Sequence, residues 1–89
     1  MEVLTTKTFL KQLKKAPVYI QDSARGILEA LEKAESLKDA GDLKKLEGFK
    51  DYYRIRIGDY RMGMKHEKPQ VIVMALMHRG SIYKSFPPA

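Results

Sequence analysis

Residues 52 to 61, Tyr52-Tyr53-Arg54-Ile55-Arg56-Ile57-Gly58-Asp59-Tyr60-Arg61, read as a strand, a tight turn and the start of a second strand. Because strand side chains alternate between two faces, Tyr52, Arg54 and Arg56 share one face and the residues between them share the other. Gly58-Asp59 is a turn signal, although weaker than Asn-Gly or Asp-Gly. If Arg61 returns on the arginine face, three positive charges converge there. Such a cluster favours a bound anion, and the planar fork of arginine suits phosphate best.

Two helices are predicted before these strands. Thr5 or Thr6 can cap the first helix, which ends near Ala16-Pro17 because proline disfavours a helical residue before it. Apolar residues at steps of three and four predict a second helix from about Val18 to Leu37. The two helices form an α-hairpin, and a loop is predicted at residues 39–42.

Three strands are predicted after the helices, as an antiparallel meander near residues 52–57, 60–66 and 70–77. The segment from Val71 to Met77 is apolar on both faces, which indicates a strand in the interior of the sheet, and Val3 and Leu4 are its expected partner on the free edge. The tail from His78 to Pro88 is expected to form one helical turn. The predicted fold is therefore α+β, in the order β-α-α-β-β-β, with an N-terminal α-hairpin packed on a small antiparallel sheet.

The composition sets limits on domain number and chemistry. A chain of 89 residues can form one hydrophobic core and not two, so residues 1–89 are expected to be a single domain. It contains no cysteine, which excludes disulfides and thiolate metal sites, and His66 and His78 have no clustered ligands near them, so no metal or other cofactor is expected. Because no signal peptide and no apolar run near ~20 residues is evident, we expect a cytoplasmic protein without membrane contact.

The positive charge is concentrated in the second half of the chain, which has a net charge of +6 as a whole. Residues 1–51 carry ten Lys or Arg and nine Asp or Glu, a balance of +1, whereas residues 52–89 carry seven and two, a balance of +5. A basic surface on a small domain favours a nucleic acid, or an acidic protein that covers the same surface, as the partner. A general role of the charge in solubility is the alternative.

The tail supplies further candidate residues. Arg79 and Tyr83 are four residues apart, so a helical turn would place them on one face, beside the arginine strands. His78, at the end of the apolar strand, is a further binding group and the reserve acid or base. The candidate site comprises Arg54, Arg56, Arg61, Arg79, Tyr83 and His78.

Four motifs of the chain are similar to those of a known family. They are the lead-in Lys44-Lys45-Leu46-Glu47-Gly48, the strand Tyr53-Arg54-Ile55-Arg56, the pair Tyr60-Arg61 and the closing His78-Arg79-Gly80-Ser81-Ile82-Tyr83. Together with the element order, they resemble the RelE/ParE superfamily of toxins from type II toxin–antitoxin modules. For RelE-like members the resemblance implies metal-independent cleavage of mRNA, commonly in the ribosomal A site. Attack of the 2′-hydroxyl on the adjacent phosphate leaves a 2′,3′-cyclic phosphate and a 5′-hydroxyl.

The resemblance also implies roles for individual residues. Arg61 and Arg79 match phosphate-binding arginines, and Tyr83 matches a tyrosine that stacks on a base or moves a proton. Arg54 and Arg56 stand where many RelE proteins have lysines that contact and activate the RNA. Because arginine stays charged at any workable pH, proton transfer here falls to Tyr83, His78 or water.

Two other functions are compatible with the same scaffold. One is a ParE-like inhibitor of DNA gyrase, and the other is a homologue that binds only its antitoxin. The joint presence of the arginines and Tyr83 favours the ribonuclease. The expected partners are a cognate antitoxin, mRNA and the ribosome, with operator DNA contacted only through the antitoxin.

Overall fold

In the computed structural model, which describes residues 1–40 and 43–87, two helices pack on one face of a five-stranded sheet. The helices are α1 (Lys7–Lys15) and α2 (Val18–Lys33). The strands are β1 (Glu2–Thr5), β2 (Leu43–Lys45), β3 (Tyr52–Ile57), β4 (Tyr60–Glu67) and β5 (Gln70–His78), and their order in the sheet is β1-β5-β4-β3-β2. The α+β class and the α-hairpin on a sheet are confirmed, and β2 is an edge strand that the sequence analysis did not predict.

The sheet is mixed rather than wholly antiparallel. Strand β1 pairs with β5 in parallel, with Val3 opposite Val71, whereas the other neighbouring strands pair antiparallel. The chain from β1 to β5 passes through both helices, and a long crossover of this kind is what a parallel pair requires. The predicted pairing of Val3 and Leu4 with the interior strand is therefore confirmed.

The first helix has the predicted ends and the second is shorter than predicted. Thr6 caps α1, where the amide of Phe9 donates to Thr6 Oγ1 at 3.1 Å, and α1 ends ahead of Pro17. Helix α2 ends at Lys33 rather than Leu37. Ser36 instead starts a separate 3₁₀ turn, in which its hydroxyl donates to the Asp39 carboxylate at 3.2 Å. Local bonds of this type compete with continuation of a helix.

The loop predicted at residues 39–42 is only partly described. Asp39 and Ala40 belong to the 3₁₀ turn Leu37–Ala40, so the prediction is wrong for these two positions. The remaining two positions, 41 and 42, lie outside the described residues.

The hydrophobic core lies between the helices and one face of the sheet, which we call the helix face. Phe9, Ile20 and Leu31 from the helices are fully buried there. The sheet contributes the apolar residues of β3, β4 and β5 on that side: Ile55, Ile57, Met62, Met64, Val71, Val73 and Leu76. The predicted split of β3 into an apolar and a polar face is confirmed.

A β-bulge at Met74 changes the alternation within β5. Gly63 of β4 pairs with Ala75, but the next residue, Met64, pairs with Val73, so Met74 is the extra residue. Helix α1 supports the bulge, because the hydroxyl of Thr6 donates to the Met74 carbonyl at 3.2 Å. A one-residue shift moves every later side chain of the strand to the opposite face.

The last part of the chain packs on the sheet face opposite the helices. Its single 3₁₀ turn, Ile82–Lys84, confirms the predicted helical turn in the tail, and we call residues 82–86 the C-terminal segment. Ile82 and Phe86 are buried against Ala75 on this side of the sheet. The described part of the chain has no helix that is long and apolar enough to cross a membrane.

Candidate nucleic-acid interface

The arginines of β3 and β4 lie together on the sheet face opposite the helices. Arg56 is directly opposite Arg61 in the β3–β4 register, and Arg54 lies two residues further along β3 on the same face. Directly opposed side chains have Cβ atoms about 5 Å apart, at which distance two like charges destabilise the sheet. The register confirms that Arg61 returns on the face of Arg54 and Arg56.

The turn between β3 and β4 explains this register. It has two residues, Gly58 and Asp59, between the paired residues Ile57 and Tyr60. Gly58 has a φ of 55°, a value that glycine adopts at no steric cost and that a two-residue hairpin requires at its first position. The turn therefore fixes Arg61 opposite Arg56.

Backbone carbonyls of the same turn hold the Arg61 guanidinium. Its Nη1 donates to the Gly58 carbonyl at 3.0 Å and to the Tyr60 carbonyl at 2.9 Å. Within the described structure both of its hydrogen bonds come from Nη1, so the Nε and Nη2 donors are available for a ligand. Two parallel donors of this kind suit a phosphate or carboxylate oxygen pair.

Arg79 reaches the same turn from the end of β5. Its amide donates to the Asp59 carbonyl at 2.8 Å, and its Nε lies 3.9 Å from Asp59 Oδ1. Arg79 and Arg61 are therefore anchored on successive peptide units of one turn. The Arg79 side chain is 62% exposed, so this ion pair is weak and leaves the guanidinium accessible.

Tyr83 lies in the 3₁₀ turn of the C-terminal segment and is 54% exposed. The prediction that one helical turn carries Arg79 and Tyr83 is wrong, because the turn begins at Ile82 and Arg79 precedes it. The amide of Ser81 donates to the His78 carbonyl at 2.9 Å, which closes a separate turn around Arg79. Burial of Ile82 nevertheless places Tyr83 on the arginine side of the sheet.

His78 lies on the other side of the sheet. It pairs with Tyr60, whose ring packs on the helix-face core, and the two rings meet edge to face with centroids 5.8 Å apart. His78 Nδ1 accepts a hydrogen bond from the Gly80 amide at 3.2 Å. The structure therefore does not bring His78 together with the arginines, because the bulge at Met74 has reversed the alternation of β5.

Two further lysines lie on the arginine side and were not among the predicted site residues. Lys44 is directly opposite Arg54 in the β2–β3 register, and Lys65 is two positions beyond Gly63 on β4. Strand alternation from Arg61 could have identified Lys65, whereas the pairing that places Lys44 depends on β2, which the sequence did not reveal. We call the sheet face that carries Lys44, Arg54, Arg56, Arg61 and Lys65 the basic face.

Few carboxylates offset this charge. Among the described side chains the ion pairs are Lys65–Glu67 and Arg79–Asp59, both at 3.9 Å. Arg54, Arg56 and Arg61 have no carboxylate partner within this part of the chain. Among the residues that the structure describes, no three His, Cys, Asp or Glu side chains are grouped so that they could hold a metal ion. The basic face therefore has unbalanced positive charge, which is suited to an anionic ligand.

The helix-covered sheet with an arginine cluster on its other face corresponds to a class of small toxins. A family model described as the ParE toxin of the type II toxin–antitoxin system, parDE, matches residues 3–83. Toxin RelE3 of Methanocaldococcus jannaschii is 42% identical over 88 residues, which cover 98% of this chain and 100% of that protein. The chain therefore belongs to the RelE/ParE superfamily of type II toxins.

Solved structures share the fold. A chain of the RelB–RelE antitoxin–toxin complex from Methanococcus jannaschii is 39% identical, with a TM-score of 0.83 over 94% of this chain and 99% of that one. The archaeal RelE–RelB complex from Pyrococcus horikoshii OT3 has a chain that is 27% identical, with a TM-score of 0.72 over 90% of this chain and 96% of that one.

Proposed function

We propose that this toxin is a metal-independent endoribonuclease that cleaves mRNA on the ribosome and so inhibits translation. The observation that carries the proposal is the direct opposition of Arg56 and Arg61, with Arg54 beside them and no described carboxylate between them. Three fixed positive charges can stabilise the negative charge that develops on a phosphate during cleavage. Similarity to proteins named RelE supports this function over gyrase inhibition.

In the proposed reaction, the 2′-hydroxyl oxygen of the substrate attacks the adjacent phosphorus. The bond from phosphorus to the 5′-oxygen of the next nucleotide breaks. The 2′-hydroxyl gives up its proton to a base, and the leaving 5′-oxygen takes up a proton from an acid. The products are a 2′,3′-cyclic phosphate and a 5′-hydroxyl, so no water is consumed in this step.

The proposed roles follow from position. Arg61, held by two carbonyls of the turn, directs its Nε and Nη2 donors at the non-bridging phosphate oxygens. Arg79, anchored on the same turn, adds a second positive charge. Arg54 and Arg56 bind the substrate phosphates and cannot act as bases, because a guanidinium does not lose its proton in proteins.

Tyr83 is the protein group that we propose for proton transfer. It lies on the arginine side of the sheet and its ring is accessible. His78, which the sequence analysis grouped with the substrate-binding residues, lies on the helix face with Tyr60. We therefore assign no contact with the reacting phosphate to His78.

We further propose that a cognate antitoxin binds this toxin, and that operator DNA is contacted only through the antitoxin. Two of the similar structures are complexes of a RelE toxin with RelB. The unbalanced charge of the basic face gives an acidic protein segment a surface to cover. A disordered segment that folds on binding can cover a face of this size.

The test is single-turnover cleavage of mRNA on a programmed ribosome by Arg61→Ala. Loss of a donor aimed at developing charge lowers the rate by about 10² to 10³, while binding weakens much less. Arg25→Ala is the matched control, since Arg25 is an exposed arginine on α2, and it should cleave at the wild-type rate. Full activity of Arg61→Ala would contradict the site as drawn.

Inhibition of DNA gyrase is the second candidate, favoured by the ParE description of the matching family model. A supercoiling assay with purified gyrase separates the two functions. Inhibition of supercoiling, together with intact mRNA on the ribosome, would replace the ribonuclease with the gyrase inhibitor. If neither activity is found and the antitoxin still binds, the chain is a binding-only homologue.

A further inference from the structure

The cross-strand pair of Lys44 and Arg54 is a second concentration of charge beside Arg56 and Arg61. Lys44 lies on the edge strand β2, directly opposite Arg54, so both side chains project from the basic face. Lys44 is exposed. Like charges directly opposite each other on a sheet are unfavourable, and an anion bound between them removes the repulsion.

The two charged pairs are spaced along β3. Arg54 and Arg56 are two residues apart on one strand, so the pairs are separated by about 7 Å along the strand direction. That separation is comparable with the distance between neighbouring phosphates of an extended single strand. Each pair can therefore hold one phosphate of the same chain.

The C-terminal segment covers the sheet on the β4 side of Arg54, opposite to Lys44. The Phe86 ring lies over Gly63, where an added Cβ would be 2.6 Å from the ring. Gly63 is the β4 partner of Arg54, so the ring is beside Arg54 on the side away from Lys44. Tyr52 packs against the same ring, with centroids 5.6 Å apart and an interplanar angle of 71°. A strand that runs from Arg56 and Arg61 to Arg54 therefore meets the Phe86 ring on the β4 side of Arg54 and Lys44 on the β2 side.

We propose that Lys44 and Arg54 form a second phosphate subsite, so that single-stranded RNA crosses the sheet from the Arg56–Arg61 pair towards the edge strand β2. This inference rests on the proposed ribonuclease function and adds the path of the substrate. Arg56 and Arg61 hold the phosphate that reacts, and Lys44 and Arg54 hold its neighbour. Lys44 is a binding residue with no part in the chemical step.

The experiment measures RNA binding as a function of salt. The probe is a fluorescent single-stranded oligoribonucleotide with 2′-O-methyl groups, which lacks the attacking hydroxyl and is not cleaved. Its affinity is determined by anisotropy over a series of KCl concentrations. Each phosphate contact with a single strand contributes roughly 0.7 to the slope of log K against log salt, so Lys44→Gln should flatten the slope by about that amount.

The control variant removes the same charge on the other face of the same strand. Lys45 is the next residue on β2 and pairs with Tyr53, so its side chain projects from the helix face. Lys45→Gln should keep the wild-type slope.

A second measurement counts phosphates. A trinucleotide with two phosphates should bind the wild-type protein more tightly than a dinucleotide with one, as followed by NMR titration. Lys44→Gln should remove this advantage, and Lys45→Gln should preserve it. An equal loss in both variants would show a general charge effect and overturn the second subsite.

The outcomes also separate this inference from the function on which it rests. If the wild-type protein cleaves mRNA and Lys44→Gln binds RNA with an unchanged slope, the subsite is wrong and the ribonuclease stands. If the wild-type protein neither binds the probe nor cleaves mRNA, both the function and the subsite are overturned.

Discussion

At positions 54 and 56 the chain carries guanidinium groups, which stay protonated at any pH that a protein tolerates. A lysine in such a cluster can lose its proton and act as a base, but an arginine cannot. Positive charge at these two positions is therefore permanent, and in the proposed cleavage the proton must move through another group. This property of single residues makes Tyr83 the residue whose role most needs testing.

Tyr83→Phe keeps the ring for stacking and removes the hydroxyl for proton transfer. If Tyr83 moves a proton, the variant should lose a factor of about 10² or more in single-turnover rate at saturating substrate. Tyr19→Phe is the matched control, because Tyr19 on α2 is 64% exposed against 54% for Tyr83. A Tyr83→Phe variant with the wild-type rate, combined with an inactive Tyr83→Ala, would assign Tyr83 to stacking alone.

At the scale of elements, the packing of the C-terminal segment on the sheet depends on one glycine of β4. Gly63 is buried under Phe86, and three atoms of that ring would lie within 2.7 Å of a Cβ added at Gly63. The absence of a side chain at Gly63 therefore lets the segment lie flat on the sheet. The segment carries Tyr83, so its docking and the position of the candidate site are coupled.

Gly63→Ala should destabilise the protein by about 1 to 3 kcal/mol, because the Phe86 ring must move out of a packed position. Gly26→Ala is the control, and it should instead raise the stability of the protein. An added Cβ at Gly26 meets nothing within 4 Å, and alanine within a helix is favoured over glycine by roughly 0.5 to 1 kcal/mol. Urea unfolding of both variants checks the pair, and a Gly63→Ala protein as stable as the wild type would show that the segment is not held by Phe86.

At the scale of the whole molecule, charge and packing are divided between the two sides of the sheet. The helices cover one side and bury the core, while the other side carries the cationic residues and is packed by Ile82 and Phe86 of the C-terminal segment. The net charge of +5 in residues 52–89 is therefore presented largely by one surface. A surface of this kind attracts RNA and an acidic inhibitor alike, and its attraction falls as salt rises.

We expect the antitoxin to silence the toxin by covering the basic face or by displacing the segment that carries Tyr83. Arginine modification with phenylglyoxal, read by mass spectrometry, tests the first route. Arg54 and Arg61 should be protected in the complex, while Arg25 on α2 should react as in the free toxin. An inactive complex that leaves Arg54, Arg61 and Tyr83 exposed and in place would contradict both routes.

Several features of the site followed from local pattern. Alternation in β3 predicted which residues face the core, and the Gly58-Asp59 turn predicted the return of Arg61. These features depend on neighbours a few residues apart, so the sequence contains the information directly. The position of Arg79 was less well predicted, since its amide donates to the carbonyl of Asp59, a residue 20 positions away.

The sequence by itself determined the α+β class, the α-hairpin, the three-stranded meander and the arginine cluster, because periodicity and turn chemistry act over short distances. Only the tertiary structure decided the faces of His78 and Lys44. The bulge at Met74, supported from α1 by Thr6, moves His78 to the helix face. Lys44 joins the basic face because β2 pairs with β3. Both outcomes depend on the register between distant segments, which a shift of one residue reverses.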